Sequence, residues 1–233
     1  MAMLKLLDCT LRDCAYIVNA DFGVPAIKGI IRKLQDANID IIECGWLKDK
    51  EHEKGHTFYH VPSDVVQYIT KRKPNFMYVA MIDWDRYDLS NLPQCDGASL
   101  DAIRVVFPYN KFREGINVGK EVLKKGYTLF FQAANTLAYT NEDLTELAKE
   151  VNASGAKSLS VVDTFGAMYE EDLDRIVSVL DRELNPDVAL GFHSHNNQQL
   201  AFSNAIHFIK LLDKTDRTVI VDSSLCGMGR GAG

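Results

Sequence analysis

Eight short apolar runs, separated by amphipathic segments, constrain the fold of this chain more than any other feature of its sequence. The runs begin about 30 residues apart, which is the spacing of a repeated strand–helix unit. They are rich in Val, Ile, Leu and Phe with little alternation, as expected for parallel strands that are buried on both faces. The runs lie at residues 4–9, 39–45, 76–82, 103–108, 128–133, 158–163, 188–193 and 218–222.

Helical periodicity fills most of the intervals between these runs. One apolar stripe comprises Ile27, Ile30, Ile31 and Leu34, and Pro25 suits the first turn of that helix. A second stripe follows a predicted cap at Asn141. The second, third and fourth stripes comprise Leu144, Leu147, Ala148 and Val151; Leu173, Ile176, Val177 and Leu180; and Phe202, Ala205, Ile206 and Ile209. Weaker helical signals lie near residues 62–72 and 84–92 and in the C-terminal half of 110–125.

This alternation predicts an α/β fold, a (β/α)8 TIM barrel that lacks its last helix, with residues 1–233 forming a single catalytic domain. An open, doubly wound sheet is the alternative. No Gly-x-Gly-x-x-Gly sequence follows the first run, and this counts against a dinucleotide-binding sheet.

Composition narrows the class of function. The net charge of −6 does not suit a nucleic-acid-binding protein, and no apolar run reaches the ~20 residues of a membrane span. The N-terminus lacks a secretory signal, and the cysteines lack Cys-x-x-Cys spacing, which favours reduced thiols and a cytoplasmic protein. We therefore expect a small-molecule substrate, with neither nucleic acid nor membrane as a partner. The oligomeric state is left open between a monomer and a homo-oligomer.

Two segments at strand ends carry residues that suit a metal ion. Asp13 and Arg12 follow the first run, and His193 and His195 close the seventh. Alternate residues of a strand point to the same side, so the two imidazoles are expected on one face. Two neutral imidazoles and a carboxylate suit a divalent cation. Arg12 adds a fixed positive charge, so the segments together predict a site that stabilises negative charge on oxygen.

Further polar residues lie where predicted strands end, the position at which barrel enzymes build their active sites. Glu43 lies within a very apolar strand, and Arg12 is its natural ionic partner; the alternative is a solvated carboxylate at the barrel mouth. The candidates for substrate contacts at the ends of the fifth, sixth and seventh runs are Asn135, Asp163, Thr164 and Asn197.

Five motifs, in order along the chain, resemble those of the DRE-TIM metallolyases. They are Thr10-Leu11-Arg12-Asp13, Ile42-Glu43-Cys44-Gly45, Asp163-Thr164-Phe165-Gly166, His193-Ser194-His195-Asn196-Asn197 and the segment Leu225 to Gly233. This family contains 3-hydroxy-3-methylglutaryl-CoA lyase, isopropylmalate and homocitrate synthases and 4-hydroxy-2-oxovalerate aldolase. The last two motifs are most similar to those of the aldolase branch.

The resemblance implies a metal-dependent aldolase that cleaves a 4-hydroxy-2-oxo acid to pyruvate and an aldehyde. It implies that Asp13, His193 and His195 hold Mn²⁺ or Mg²⁺, with Zn²⁺ as a third candidate. Arg12 would stabilise an enolate, and Glu43 would support Arg12. An acyl-CoA condensing enzyme or acyl-CoA lyase is one alternative, and a non-catalytic barrel that serves as a binding module is another.

Three positions depart from the family pattern. Tyr16 stands where the aldolase branch has an acid/base histidine, which makes Tyr16 the catalytic candidate at that position. Leu225 stands where the CoA lyase has a catalytic cysteine, one residue before Cys226. The family places a metal-binding Asn directly after Gly-Ala-Gly, and this sequence ends at Gly233, so we expect it to be the N-terminal part of a longer protein.

Overall fold

A computed structural model describes residues 2–229 and 231 of the chain, and most strands within them form a closed parallel barrel. The strands are β1 (Met3–Asp8), β2 (Ile41–Leu47), β3 (Phe58–Tyr59), β4 (Met77–Asp83), β5 (Ala102–Pro108), β6 (Thr128–Ala134), β7 (Ser158–Asp163), β8 (Ala189–Ser194) and β9 (Thr218–Ser223). The order is β1-β9-β8-β7-β6-β5-β4-β2, and pairing of Leu7 with Ile41 between β1 and β2 closes the ring. The two-residue β3 is an addition beside the end of β2. The predicted TIM barrel is confirmed.

Seven α-helices occur in the described part of the chain. They are α1 (Thr10–Asp13), α2 (Ala15–Val18), α3 (Val24–Asp36), α4 (Phe112–Lys124), α5 (Asn141–Ser154), α6 (Glu170–Glu183) and α7 (Ala201–Leu212). The weak signals after β3 and β4 correspond to 3-10 segments, Pro62–Tyr68 and Leu89–Asn91, rather than α-helices. After β9, helical geometry in the described residues is limited to the 3-10 turn Leu225–Gly227, in line with the predicted lack of a last helix.

Two details of the helix predictions are wrong. Thr140, not Asn141, caps α5, because its hydroxyl accepts a hydrogen bond from the backbone N–H of Asp143. In α7 the predicted stripe is not the most buried one: Phe202 is 76% exposed. Asn204 is buried instead, since its side-chain amide donates to the carbonyl of Met168 at 2.8 Å. A satisfied polar side chain thus takes a place that apolar periodicity assigns to hydrophobic residues.

The barrel interior changes character along its axis. The part of the interior farther from the carboxyl ends of the strands is apolar and includes Leu7, Ile41, Val79, Phe130 and Ile220. A second, larger apolar core lies between the strands and the surrounding helices. Near the carboxyl ends of the strands the interior side chains are charged, and Glu43, Arg104 and Asp222 are all buried there.

No helix among the described residues has the length and apolar character needed to cross a membrane.

A bulge in β2 determines which side chains reach the carboxyl end of the barrel. The pairing of β2 with β4 shifts between Glu43 and Trp46. Gly45 within this bulge has a φ of +146°, and a Cβ there would lie 2.1 Å from the carbonyl oxygen of Thr57. Only glycine fits such a close approach. Because a bulge inserts one residue into the alternation, Trp46 rather than Gly45 faces the central cleft.

Candidate metal centre and catalytic cleft

Asp13, His193 and His195 converge at the carboxyl end of the barrel. Asp13 ends the short helix that follows β1, while His193 lies in β8 and His195 follows it. One potential ligand atom from each residue lies within 4.8 Å of the others, and all three residues are buried. β9 separates β1 from β8, so the two motifs that are most distant in sequence become next-but-one neighbours in the barrel.

Hydrogen bonds fix both imidazoles with Nε2 as the available ligand atom. His193 Nδ1 lies 2.9 Å from Asp222 Oδ2, and His195 Nδ1 lies 2.7 Å from the carbonyl oxygen of Thr164. A carbonyl only accepts, so Nδ1 of His195 carries the proton and its Nε2 keeps a lone pair. That Nε2 is buried and has no hydrogen-bond partner among the described residues. Burial, together with the neighbouring His193, lowers the pKa of His195, which favours the neutral form that binds metals.

This donor set fits a divalent cation. The unpartnered Nε2 of His195 is a buried acceptor without a donor, which is costly unless a ligand satisfies it. The Asp222–His193 pair repeats the carboxylate–imidazole arrangement that orients metal ligands in proteins. The residues that the sequence selects for metal binding are therefore brought together in a geometry suited to that role.

Arg12 is held rigidly beside the triad. Its Nε donates to Glu43 Oε2 at 2.8 Å, and its Nη1 donates to Asp13 Oδ1 at 2.7 Å. Burial opposes the charge on Arg12, but the neighbouring acidic groups, with Glu43 the largest contributor, together outweigh it, so the pKa of the guanidinium is raised above its ordinary value. Arg12 is therefore a permanent cation at a fixed position, the arrangement needed to stabilise charge that develops on a substrate oxygen.

Glu43 is fully buried and forms the predicted pair with Arg12. It also belongs to a wider network through Arg104 that the sequence does not predict. Arg104 donates from Nη1 to Glu43 Oε1 at 2.9 Å and from Nη2 to Asp222 Oδ2 at 2.5 Å. Asp222 in turn holds His193, so a continuous chain of charged groups joins Arg12 to a predicted metal ligand. Burial opposes the charge on Asp222, but Arg104 and His193 lower its pKa to about 2. The sequence signal that could have predicted this network is Arg104 itself, a single charged side chain between Ile103 and Val105 in an apolar run.

Asp8 is a second buried carboxylate near this network. Its oxygens accept hydrogen bonds from the backbone N–H and the hydroxyl of Thr10 at 2.9 and 3.0 Å. The same hydroxyl accepts from the backbone N–H of Leu225 at 2.8 Å, which ties the loop after β9 to the start of the chain. Burial raises the pKa of Asp8 to about 6, although the bonds from Thr10 oppose this. The proton on Asp8 is thus held more tightly in the folded protein than in the unfolded chain.

This shift predicts a pH-dependent stability. Asp8 favours folding most below its unfolded pKa of about 4, and this contribution is lost as the pH rises through about 6. Asp8→Asn removes the titration, so the unfolding free energy of the variant relative to the unmodified protein should rise by up to about 3 kcal/mol between pH 4 and 7. Urea unfolding of both proteins in EDTA measures this difference. A difference that stays constant over this range contradicts the assignment.

A cleft of about 600 Å³, open to solvent, lies above the charged network. Of the residues that sequence analysis selects, Arg12, Tyr16, Thr164, His193 and His195 line it. Tyr16 is half-exposed and packs edge-on against Trp46, with ring centroids 6.5 Å apart. The remaining lining residues are Trp46, Met81, Asp83, Val106, Gln132, Ala134 and Val162.

The other predicted substrate contacts lie around the cleft rather than along its described lining. Asp163 accepts hydrogen bonds from the backbone N–H groups of Ala167 and Met168, so it shapes the loop after β7. The backbone N–H of Asn135 donates to the hydroxyl of Thr164 at 2.7 Å. Asn197 is exposed. The assignment of these residues to substrate binding stays a prediction, and among them Thr164 has the most direct geometric basis.

The end of the glycine-rich segment approaches the triad. The backbone N–H of Asn196 donates to the carbonyl oxygen of Gly231, and a Cβ on Gly231 would lie 3.5 Å from the side chain of His195. Arg230, Ala232 and Gly233 lie outside the described residues. The part of the segment that is described therefore packs next to a predicted metal ligand.

Comparison with known proteins identifies related sequences over the whole barrel. The family model described as HMGL-like matches residues 110–233. An oxaloacetate decarboxylase of Mycobacterium tuberculosis is 27% identical over 98% of this chain and 66% of its own length. A 4-hydroxy-2-oxovalerate aldolase of Geobacillus genomosp. 3 is 24% identical over 99% of this chain and 67% of its own length. The chain thus spans about two thirds of the length of these curated relatives.

A solved structure shows the same architecture. The N-terminal domain of a protein assigned as an aldolase from Bacteroides vulgatus superposes with a TM-score of 0.78 at 25% identity. The match covers 98% of this chain and 75% of that one. The similarity therefore extends over nearly all of the barrel and is not limited to the motifs around the cleft.

Proposed function

The chain belongs to the HMGL-like family, and from that premise we propose that it is a divalent-metal-dependent aldolase that cleaves a 4-hydroxy-2-oxo acid to pyruvate and an aldehyde. The observation that carries the proposal is the convergence of Asp13, His193 and His195 beside the immobilised cation of Arg12. Arg12 and both histidines line one cleft. Cleavage of the bond between C3 and C4 leaves negative charge on the oxygen at C2, and this site is suited to stabilise that charge.

In the proposed mechanism Asp13, His193 and His195 would hold Mn²⁺, Mg²⁺ or Zn²⁺. The bound ion would act as a Lewis acid toward the 2-oxo acid group. Arg12 donates hydrogen bonds to the developing enolate oxygen, and Glu43 keeps Arg12 in position. A small 2-oxo acid is thus the proposed substrate.

The polar residues around the cleft receive supporting roles. Thr164 lines the cleft and fixes His195 through its carbonyl, which supports a role in contacting the bound substrate from the β7 side. Asn135, Asp163 and Asn197 are assigned to the surrounding substrate-binding loops. Tyr16, which lines the cleft, stands where the resembling aldolases carry an acid/base histidine.

Decarboxylation of oxaloacetate is a second candidate activity. One relative that matches 98% of this chain bears the name oxaloacetate decarboxylase. Loss of CO₂ from oxaloacetate produces the enolate of pyruvate, the same species that aldol cleavage produces. The charge that Arg12 must stabilise is therefore identical in the two reactions.

Release of pyruvate from 4-hydroxy-2-oxovalerate, followed with lactate dehydrogenase and NADH, tests the proposal. We expect pyruvate in the presence of Mn²⁺ and a loss of at least about 100-fold after chelation with EDTA, since the three candidate ligands converge and the metal would supply the Lewis acid. Added Mn²⁺ should restore the unmodified protein but not His195→Ala. Release of free thiol from an acyl-CoA and a 2-oxo acid, without any pyruvate release, would instead identify a condensing enzyme.

A further inference from the structure

The wall of the cleft opposite the triad carries a carboxylate without an assigned role. Asp83 ends β4, and β4 lies directly across the closed barrel from β8, four strands away in either direction. Asp83 and the two histidines line the same cleft. A substrate that spans the cleft from the triad therefore points its other end toward Asp83.

Lys48 fixes this carboxylate in place. Its Nζ donates to Asp83 Oδ2 at 2.6 Å and lies 4.2 Å from the centroid of the Trp46 ring. The side chain of Asp83 is 21% exposed. The second oxygen, Oδ1, accepts no hydrogen bond from the described residues, so it is available to a substrate hydroxyl.

The ring of Trp46 contacts both the Lys48–Asp83 pair, through Lys48, and Arg12, the residue proposed to stabilise the enolate. The centroid of this ring lies 5.9 Å from the guanidinium carbon of Arg12. The bulge at Gly45 is what turns Trp46 into the cleft. Arg12, Trp46 and the Lys48–Asp83 pair thus follow one another along one side of the cleft.

The other ionisable groups along the described lining are poorly suited to accept a proton from a hydroxyl. The Nδ1 atoms of His193 and His195 are hydrogen-bonded to Asp222 and to the carbonyl of Thr164. In the proposed function their Nε2 atoms would be committed to the metal ion and so would not be free to accept a proton. Arg12 is a permanent cation. Tyr16 is a phenol, and phenols are protonated at neutral pH. Asp83 is the carboxylate of this lining, and an oriented carboxylate is an effective general base.

We propose that Asp83 is the general base that removes the proton from the 4-hydroxyl group of the substrate, with Lys48 as its positioning residue. This inference rests on the proposed aldolase function. Asp83 Oδ1 takes the hydroxyl proton, the O–H electron pair becomes the second bond of the aldehyde carbonyl, and the C3–C4 bond breaks. The electrons of that bond form the enolate that Arg12 stabilises. The proton held by Asp83 is then returned to C3 through water, which completes pyruvate and restores the Asp83 carboxylate.

Substitution of Asp83 tests the inference through the difference between two reactions. Aldol cleavage requires removal of a hydroxyl proton, whereas decarboxylation of oxaloacetate does not. We expect Asp83→Asn to lower kcat/KM for cleavage of 4-hydroxy-2-oxovalerate by about 10²–10⁴-fold. The loss in oxaloacetate decarboxylation should be at least about tenfold smaller. Asp187→Asn, which removes the exposed partner of Lys157, is the matched control and should leave both rates unchanged.

Chemical rescue separates a base from a structural residue. Formate in the space left by Asp83→Ala should restore aldol cleavage with a dependence on formate concentration, and it should not accelerate the unmodified protein. Normal cleavage by Asp83→Asn, or equal losses in both reactions without rescue by formate, overturns the inference. An unmodified protein that cleaves no 4-hydroxy-2-oxo acid overturns the proposed function, and with it this role for Asp83.

Discussion

Replacement of Arg104 with methionine is expected to destabilise the barrel by about 3–5 kcal/mol. Arg104 is 1% exposed and bonds to both Glu43 and Asp222, which are themselves buried. Removing the guanidinium leaves Asp222 with His193 as its ionic partner and Glu43 with Arg12. Removing one partner of a buried ion pair is costly because the charge of the other partner stays buried without compensation.

Urea unfolding at neutral pH measures this effect, and two further variants identify its cause. Arg113→Met removes an arginine from the exposed pair with Glu146 and should change stability by less than about 1 kcal/mol. Adding Asp222→Asn to Arg104→Met neutralises one stranded charge and should recover at least about 1 kcal/mol. A loss below about 1 kcal/mol in Arg104→Met would show that the network contributes little to folding.

Arg12→Lys is expected to lower kcat for pyruvate release by about 10²–10³-fold, with a small change in Mn²⁺ affinity. Lysine keeps the positive charge, but its ammonium group cannot reproduce the planar fork that reaches Glu43 from Nε and Asp13 from Nη1. The cation is then no longer fixed where charge develops on the enolate oxygen. The effect should therefore appear in kcat more than in KM.

Steady-state kinetics with saturating Mn²⁺ measure this prediction. Lys111→Arg, which keeps a cation in an exposed pair with Glu114, is a control for charge at the surface. If Arg12→Lys retains full turnover, the positive charge alone is sufficient and its placement by Glu43 has no part in catalysis.

The barrel was predictable because its signals are local and repeated. Each strand is a short apolar run, and α3, α5 and α6 carry apolar stripes that match their buried faces. The stripe of α7 failed because Asn204 is buried through a hydrogen bond to a distant carbonyl, which periodicity cannot reveal. Helix type in the segments after β3 and β4 also depends on tertiary packing rather than on pattern.

The candidate site was predictable only where residues are adjacent in sequence. Asp13 with Arg12, and His193 with His195, form short motifs at strand ends. Arg104 is 61 residues from Glu43 and 118 from Asp222, so their network arises only when the barrel closes. The Lys48–Asp83 pair depends on the bulge in β2, which a strict alternation of strand residues does not anticipate.

Titration of the metal-free protein with Mn²⁺, followed by calorimetry or by loss of the free-ion EPR signal, tests the central claim most directly. The convergence of Asp13, His193 and His195 predicts one tight site per chain. His193→Ala should weaken binding by at least about 100-fold, whereas His207→Ala, at an exposed pair with Asp174, should leave it unchanged. A protein that binds none of Mn²⁺, Mg²⁺ and Zn²⁺, or that binds Mn²⁺ equally well after His193→Ala, contradicts a metal-dependent lyase.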